Sequence, residues 1–184
     1  MLWNDEKLIE VLGGGGVVVI PTDTRYGIVG KADDASTVER IYKLRKRALY
    51  KPCIIMIADI HELEKFSIVI TEEQKNILQK YWPGPVSIIL DCPDEKLTYL
   101  HRGTYTLAFR IPDIELLREL LRKVGPLIAP SANREGEPSS ENVEEARNYF
   151  GDSVDLYVDG GSLTGKASKI IKLHKDGSIS IIRE

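Results

Sequence analysis

Two hydrophobic patterns alternate along the chain. Short unbroken apolar runs, Val17-Val18-Val19-Ile20, Cys53 to Ala58, Val86 to Leu90 and Leu127-Ile128-Ala129, read as strands buried on both faces. Between them lie apolar stripes at helical spacing: Leu8, Ile9, Val11 and Leu12; Val38, Ile41, Tyr42 and Leu44; Leu116, Leu117, Leu120 and Leu121. The punctuation fits this reading. Asn4 is expected to cap the first helix, Asp33 or Asp34 the second, and Asp113 the one after the strand Tyr105–Ile111. Thr71 with Gln74 forms a capping box for a helix to about Tyr81, which Trp82-Pro83-Gly84-Pro85 stops. His61 to Phe66 reads as a short helix, Tyr26 to Gly30 and Val154 to Val158 as strands, and Cys92 to Arg102 as loop with one extended piece. A helix ending near Phe150 takes Ser139, Ser140 or Asn142 as its cap. Ala167–Leu173 and Ser178–Arg183 form a hairpin about Asp176-Gly177. Strands alternating with helices predict an α/β fold.

Composition adds limits. A length of 184 residues suits one compact domain, or one domain with a small lobe, and 42% apolar residues suffice for a sizeable core. A net charge of −3 argues against a protein that coats nucleic acid over its whole surface, but leaves room for a local basic patch. Cys53 and Cys92 form no CxxC pair, and Cys53 in its apolar run reads as a buried thiol. His61, His101 and His174 have no metal-ligand spacing. The first twelve residues are polar and amphipathic rather than signal-like, and no apolar run reaches membrane-spanning length. A cytoplasmic protein with no membrane partner is expected.

Candidate chemistry gathers where apolar runs end. Pro21-Thr22-Asp23-Thr24-Arg25-Tyr26-Gly27 places two hydroxyls, a carboxylate and a guanidinium after the first strand, which should stop at Pro21. The plainer reading is a turn whose Thr and Asp side chains bond their own backbone. Pro130-Ser131-Ala132-Asn133-Arg134 repeats the arrangement. Lys43, Arg45, Lys46, Arg47 and Lys51 crowd a helix end, more cations than a helix dipole needs, so an anion-binding patch competes with a solvated face. Two glycine-rich stretches fail as phosphate loops. Gly13 to Gly16 runs from helix to strand, the reverse of a P-loop. Gly160-Gly161-Ser162-Leu163-Thr164-Gly165-Lys166 lacks the following Ser or Thr, Ala167 standing there, and leads into a β-rich segment. The second stretch can still offer backbone amides to phosphate.

The ordered set of motifs resembles the YrdC/Sua5 family over about residues 8 to 183. It comprises the Pro21–Gly27 loop, Glu39-Arg40-Ile41-Tyr42 with the basic turn behind it, Trp82-Pro83-Gly84-Pro85, Arg110-Ile111-Pro112, Ala129-Pro130-Ser131-Ala132-Asn133, Asp159-Gly160-Gly161 and Ser168. The resemblance implies a single-domain twisted open sheet with flanking helices and a basic cleft, of the short YrdC type without the C-terminal Sua5 domain. It implies an L-threonylcarbamoyladenylate synthase, a nucleotidyltransferase that makes threonylcarbamoyl-AMP and pyrophosphate from L-threonine, bicarbonate (or CO2) and ATP, with Mg2+ on the phosphates. A separate tRNA-threonylcarbamoyl transferase machinery then modifies adenosine 37 of tRNAs that read ANN codons, and direct tRNA contact is possible.

Position by position, the resemblance gives catalytic roles to Arg45 and Arg47 (the family's KxR pair) and to Ser131 and Asn133 (its SxN pair). It gives threonine binding to Thr24, Arg110, Ala129 and Ser168. It gives ATP binding to Arg47, Lys51, Thr106, Ser131, Ser139 and Arg183. The chemistry agrees: triphosphate, carboxylate and carbamate are anions that guanidinium forks suit, and attack of a carbamate oxygen on the α-phosphorus needs positioning and charge neutralisation rather than a protein nucleophile. The chain departs from the family pattern at Arg45 for lysine, with Lys46 adjacent, at Ala48 for proline, at Lys169 where a hydroxyl is usual, and at Arg25 for a small apolar residue. Two alternatives remain. One is an RNA-binding protein without adenylate-forming activity, using Lys43–Lys51 with Tyr42 and Tyr50. The other is a carbamoyl transferase like the YrdC-like domain of hydrogenase maturation proteins, whose length and zinc-finger cysteines this chain lacks.

Overall fold

The structure, a computed structural model, describes residues 3–184. The described strands join one mixed sheet of nine. Strands β1 (Val18–Pro21), β2 (Tyr26–Lys31) and β3 (Ile54–Met56) are followed by β4 (Val86–Asp91), β5 (Thr106–Arg110) and β6 (Leu127–Ile128). The last three are β7 (Leu156–Tyr157), β8 (Lys169–Leu173) and β9 (Ile179–Arg183). Their spatial order is β7-β1-β2-β6-β3-β5-β4-β8-β9. β1–β2, β2–β6, β3–β6, β4–β5 and β8–β9 pair antiparallel, while β1–β7, β3–β5 and β4–β8 pair parallel.

Each face of the sheet carries a separate core, because successive residues of a strand point to opposite sides. On one face α1 (Glu6–Gly13) and α5 (Glu115–Val124) bring Leu8, Leu12, Leu117, Leu120 and Leu121 against Val18, Ile20, Val29 and Leu127. These leucines are fully buried, and truncating one to Ala costs about 2–5 kcal/mol. The other face is covered by α2 (Ala35–Arg45), α3 (Glu72–Tyr81), α4 (Thr98–His101), α6 (Val143–Phe150) and a 3-10 helix over Ile60–Phe66. It packs Ile41, Tyr42, Phe66, Leu78, Leu100 and Phe150 against Ile55, Phe109, Ile88 and Ile171. Met56 of β3 still packs into the α1–α5 core, but no residue of β5, β4 or β8 joins it on that face. Cleft-side residues Ile54, Ala108, Ile89 and Ile170 there are only half-buried.

Several ends differ from expectation. Asp5, not Asn4, caps α1: its carboxylate accepts from the amides of Lys7 and Leu8 at 2.9 and 3.2 Å, while Asn4 accepts from Lys123 Nζ. Asp34 rather than Asp33 caps α2, and Asn142 caps α6. Asp113 does not cap α5, whose N-cap is Ile114 with no side-chain bond; the Asp113 amide instead donates to Asp23 Oδ2 at 3.2 Å. Residues 92–102 are not extended loop. A 3-10 turn over Glu95–Leu97 runs into α4, started by Asp94 accepting from the Lys96 amide. Those turns are too short to display an apolar period. The strands expected over 53–58, 105–111, 154–158 and 167–173 shorten to β3, β5, β7 and β8. Thr71 and Gln74 do form the capping box, and Pro83 follows a cis peptide bond. No described helix is long and apolar enough to cross a membrane.

Candidate functional site

The uncovered stretch of sheet is the floor of a cleft of about 350 Å³. Ala108 pairs with Ile54 on one side and Ile89 on the other, so three apolar side chains stand in a row across β3, β5 and β4. Ile170 and Ile182 extend that floor, and Thr104 and Thr106 stand along one edge. The walls are loops at strand ends. The Pro21–Gly27 loop and the 130–133 loop are joined by amide bonds from Ile28 to Pro130 O at 3.0 Å and from Ala132 to Tyr26 O at 2.8 Å.

At one end sits Arg110, the last residue of β5. Its Nη1 donates to Thr24 Oγ1 at 2.9 Å, Nη2 reaches Thr22 Oγ1 at 3.4 Å, and Asp23 Oδ1 lies 3.2 Å from Nη2. Thr22 also accepts from the amides of Thr24 and Arg25 and donates to Arg25 O at 2.7 Å. The self-capping turn is therefore real, and it also fixes the hydroxyls that hold Arg110. Arg183, from β9, donates from Nε and Nη2 to Ser168 O at 3.1 and 2.6 Å, and Ser168 Oγ is 3.0 Å from Ser87 Oγ.

The other end is built on Arg45. Its Nε donates to Asn133 O at 3.0 Å and its Nη2 to Asn133 Oδ1 at 3.1 Å and Ser131 Oγ at 3.3 Å. Ser131 Oγ donates to Asn133 Oδ1 at 2.6 Å. The Asn133 amide nitrogen is anchored on Arg134 O and Glu137 O. Arg45 Nη1 is buried without a partner. Beside it Arg47 is held by Lys51 O at 3.0 Å and Pro52 O at 2.7 Å.

The sequence-derived site residues Thr24, Arg45, Arg47, Thr106, Arg110, Ala129, Ser131, Ser139, Ser168 and Arg183 all line this cleft. Asn133 does not; it stands behind the wall and orients Arg45 and Ser131. Lys51 also falls outside the lining, its ammonium paired at 2.7 Å with Glu135. Lys46 is exposed in the left-handed position that ends α2, so Arg45 and not Lys46 occupies the site. Lys169 points away and pairs with Glu184 at 3.3 Å, because alternation along β8 turns it from the side shared by Ser168 and Ile170.

Two participants carried no sequence signal of their own. Glu135 accepts the Ala48 amide at 2.6 Å and the Lys51 ammonium, tying the basic turn to the 130–135 loop. Ser87, buried inside β4, supports Ser168. The expected stripe Lys43–Lys51 is not one exposed surface, since Arg45 is buried, Arg47 faces the cleft and Lys51 is paired. An RNA grip along that turn loses most of its cations.

Five arginines, 25, 45, 47, 110 and 183, line the cleft, and no carboxylate does among its lining residues. Burial pushes the guanidiniums of Arg45 and Arg110 below their ordinary value. Burial and the nearby Arg25 do the same to Arg183. All stay cationic at neutral pH, so the site stores positive charge that an anion relieves. Burial pushes the Cys53 thiol up, which keeps it from acting as a thiolate. Among the described residues no group of three His, Cys, Asp or Glu side chains could hold a metal ion.

An open α/β sheet with an arginine-lined cleft at its strand ends, floored by apolar side chains, has the chemistry of an anion-binding site beside a surface for a flat apolar group. The model of the Sua5/YciO/YrdC family, described as telomere recombination, matches residues 10–184. The chain belongs to that family. It is 37% identical over 163 residues to the threonylcarbamoyl-AMP synthase of Bacillus subtilis, covering 86% of this chain and 47% of the relative. It is 32% identical to the threonylcarbamoyl-AMP synthase of Nitrosococcus oceani, covering 89% and 88%. The crystal structure of Pyrococcus abyssi Sua5 complexed with L-threonine superposes with a TM-score of 0.86 at 30% identity, covering 96% of this chain and 52% of that one. The chain thus spans about half the length of the B. subtilis and P. abyssi proteins.

Proposed function

We propose that residues 3–184 act as the YrdC-like domain of an L-threonylcarbamoyladenylate synthase, which converts L-threonine, bicarbonate or CO2, and ATP to threonylcarbamoyl-AMP and pyrophosphate. The observation that carries this reading is one cleft holding two separately hydrogen-bonded guanidinium groups over an apolar floor. Arg110 with Thr24, in the same cleft as Ser168 and Ala129, suits an amino-acid carboxylate. Arg45 and Arg47 with Ser131 and Ser139 suit a triphosphate. The floor between them suits the nucleoside, with Thr106 at its edge and Arg183 at its end. The relatives' printed names and the threonine-bound Sua5 structure support the same assignment.

The chemistry follows from charge. Both reactants are anions, so bringing a carbamate oxygen to the α-phosphorus costs electrostatic repulsion that fixed guanidiniums offset. Asn133 acts through Arg45 and Ser131, holding their donors in place so that little reorganisation is needed when charge moves to pyrophosphate. Lys51 serves the same turn through Glu135. The cleft offers hydroxyls and guanidiniums rather than carboxylates, which is no cage for Mg2+. ATP is proposed to enter as its magnesium complex, the ion held by phosphate oxygens and water. The product would pass to a separate transferase acting on adenosine 37 of ANN-reading tRNAs.

The test mixes purified protein with ATP, Mg2+, bicarbonate and L-threonine and follows pyrophosphate. Release that requires both threonine and bicarbonate is expected. Release independent of threonine, or none from folded protein that binds ATP, overturns the reading.

A further inference from the structure

Arg25 is the cleft arginine that neither hydrogen-bonded cluster uses. It follows Thr24 directly, lines the cleft, and buries its Nε without a partner. Its backbone is fixed, the amide and carbonyl both bonded to Thr22 Oγ1. Arg183, near enough to feel its charge, reaches in from β9 and is bonded only to Ser168 oxygens. No carboxylate of the cleft lining stands with either of them. Both guanidiniums line one cleft, and the chain leading to Ser168 passes against Thr24, where a Cβ on Gly165 would meet Thr24 O at 2.6 Å. Guanidiniums that share a cleft without a counter-ion are costly unless a ligand supplies the negative charge.

The charges at this end of the cleft identify the ligand. Arg25, Arg110 and Arg183 bring three positive charges, and Asp23 beside Arg110 brings one negative. Two positive charges remain. Threonine itself is a zwitterion and supplies no net charge to balance them. Carboxylation of its nitrogen removes the ammonium and adds a carboxylate, which makes a dianion. In that step the ammonium first gives a proton to solvent, the amine nitrogen then forms a bond to the carbon of bicarbonate, a C–O bond breaks, and the oxygen leaves as water with one amine hydrogen and the bicarbonate hydrogen. The dianion matches the surplus where the zwitterion does not. Its new carboxylate must also lie between the threonine end and the nucleotide, within the cleft that Arg25 and Arg183 both line.

We propose that Arg25, together with Arg183, clamps the carboxylate that bicarbonate contributes to the threonine nitrogen. Arg25 is then a specificity-determining residue for bicarbonate and its carbamate. This rests on the synthase reading above.

The experiment compares the unmodified chain with Arg25→Leu and Arg25→Lys, after thermal unfolding has shown each to be folded. With ATP and threonine saturating and CO2-depleted buffer, Arg25→Leu raises the KM for bicarbonate about tenfold, the loss of a charge-assisted bond to a partly solvated anion. Arg25→Lys recovers part of it, and the KM for ATP stays within about twofold of its original value. An unchanged bicarbonate KM overturns the clamp, and so does a rise confined to the ATP KM, which would assign Arg25 to the triphosphate. Calorimetry separates this from failure of the synthase reading. Sodium bicarbonate tightens L-threonine binding to the unmodified chain and not to Arg25→Leu. If the unmodified chain releases no pyrophosphate, the synthase reading fails while this coupling still decides the clamp. Equal coupling in both chains, or none in either, sinks it.

Discussion

Arg45 and Asn133, 88 residues apart, are joined by two hydrogen bonds, from Nε to the main-chain carbonyl and from Nη2 to the side-chain oxygen. The first closes α2, the second sits in the loop after β6, and their union holds Ser131 with its hydroxyl on the same oxygen. Both are almost wholly buried. Arg45 keeps Nη1 unpartnered, so the pair is complete only when something negative enters the cleft.

Asn133→Ala is therefore expected to act on both stability and chemistry without touching substrate. It leaves Arg45 Nη2 and Ser131 without their shared acceptor inside the protein, at a cost of about 1–3 kcal/mol. Thermal unfolding should fall by several degrees, since a chain of this size loses about 2–4 °C per kcal/mol. Pyrophosphate release should fall further than the unfolding midpoint explains, with the KM for threonine little moved. A variant that loses stability but keeps its turnover at low temperature would make Asn133 a packing residue alone.

Arg110→Ala is expected to remove saturation by threonine while ATP still binds, because the carboxylate partner is gone. It also strands Asp23, whose side chain is nearly inaccessible. Breaking a buried pair from one side destabilises by about 3–5 kcal/mol. The double variant Arg110→Ala with Asp23→Asn should recover much of that stability and none of the threonine dependence. Calorimetry of threonine and of ATP on both variants checks this, and ordinary threonine saturation in either would refute the role.

Arg47→Ala should weaken ATP binding about tenfold, with the difference shrinking as salt rises, since the lost partner is a single guanidinium at a partly open cleft wall. Its bonds to Lys51 O and Pro52 O belong to the same turn that Glu135 ties down. Glu135→Gln should accordingly give a milder version of the same defect. Unchanged ATP affinity in Arg47→Ala would return the basic turn to a solvated face.

Strand and helix existence could be read from apolar runs and stripes because burial forces those periods, and Thr71 with Gln74 announced its cap. What stayed hidden depended on distance in the chain. Lys123 takes Asn4 out of the capping contest, and Asp23 takes the Asp113 amide. The short helix α4 has one turn, too little to show a period. In the site, ten of the residues that the resemblance named line one cleft and Asn133 and Lys51 do not, a division between facing and supporting residues that could not be read from spacing. Lys169 and Lys51 both looked like cleft cations. Strand alternation removes the first, and Glu135, a residue with no motif around it, removes the second.

Asp34 gives a prediction in pH. Its carboxylate accepts from the Ser36 and Thr37 hydroxyls and from both their amides, and those bonds, the Ser36 hydroxyl foremost, lower its pKa to about 2. A carboxylate whose folded value lies below its unfolded one stabilises above the unfolded value and loses that contribution as pH falls through the folded one. The window is therefore between about pH 4, the ordinary aspartate value, and about pH 2. Asp34→Asn keeps a capping oxygen but cannot titrate, so its stability should lie below the unmodified chain at pH 7 and the gap should narrow between pH 4 and pH 2. Asp34→Ala should lose about 0.5–2 kcal/mol at neutral pH, the usual worth of a cap. Because Asp34 caps the start of α2 and Arg45 is its last residue, a frayed start should reach the cleft through the helix. Denaturant midpoints of the three chains from pH 7 to pH 2 decide it, and a gap that stays constant over that range would mean the Asp34 bonds do not favour the ionised form.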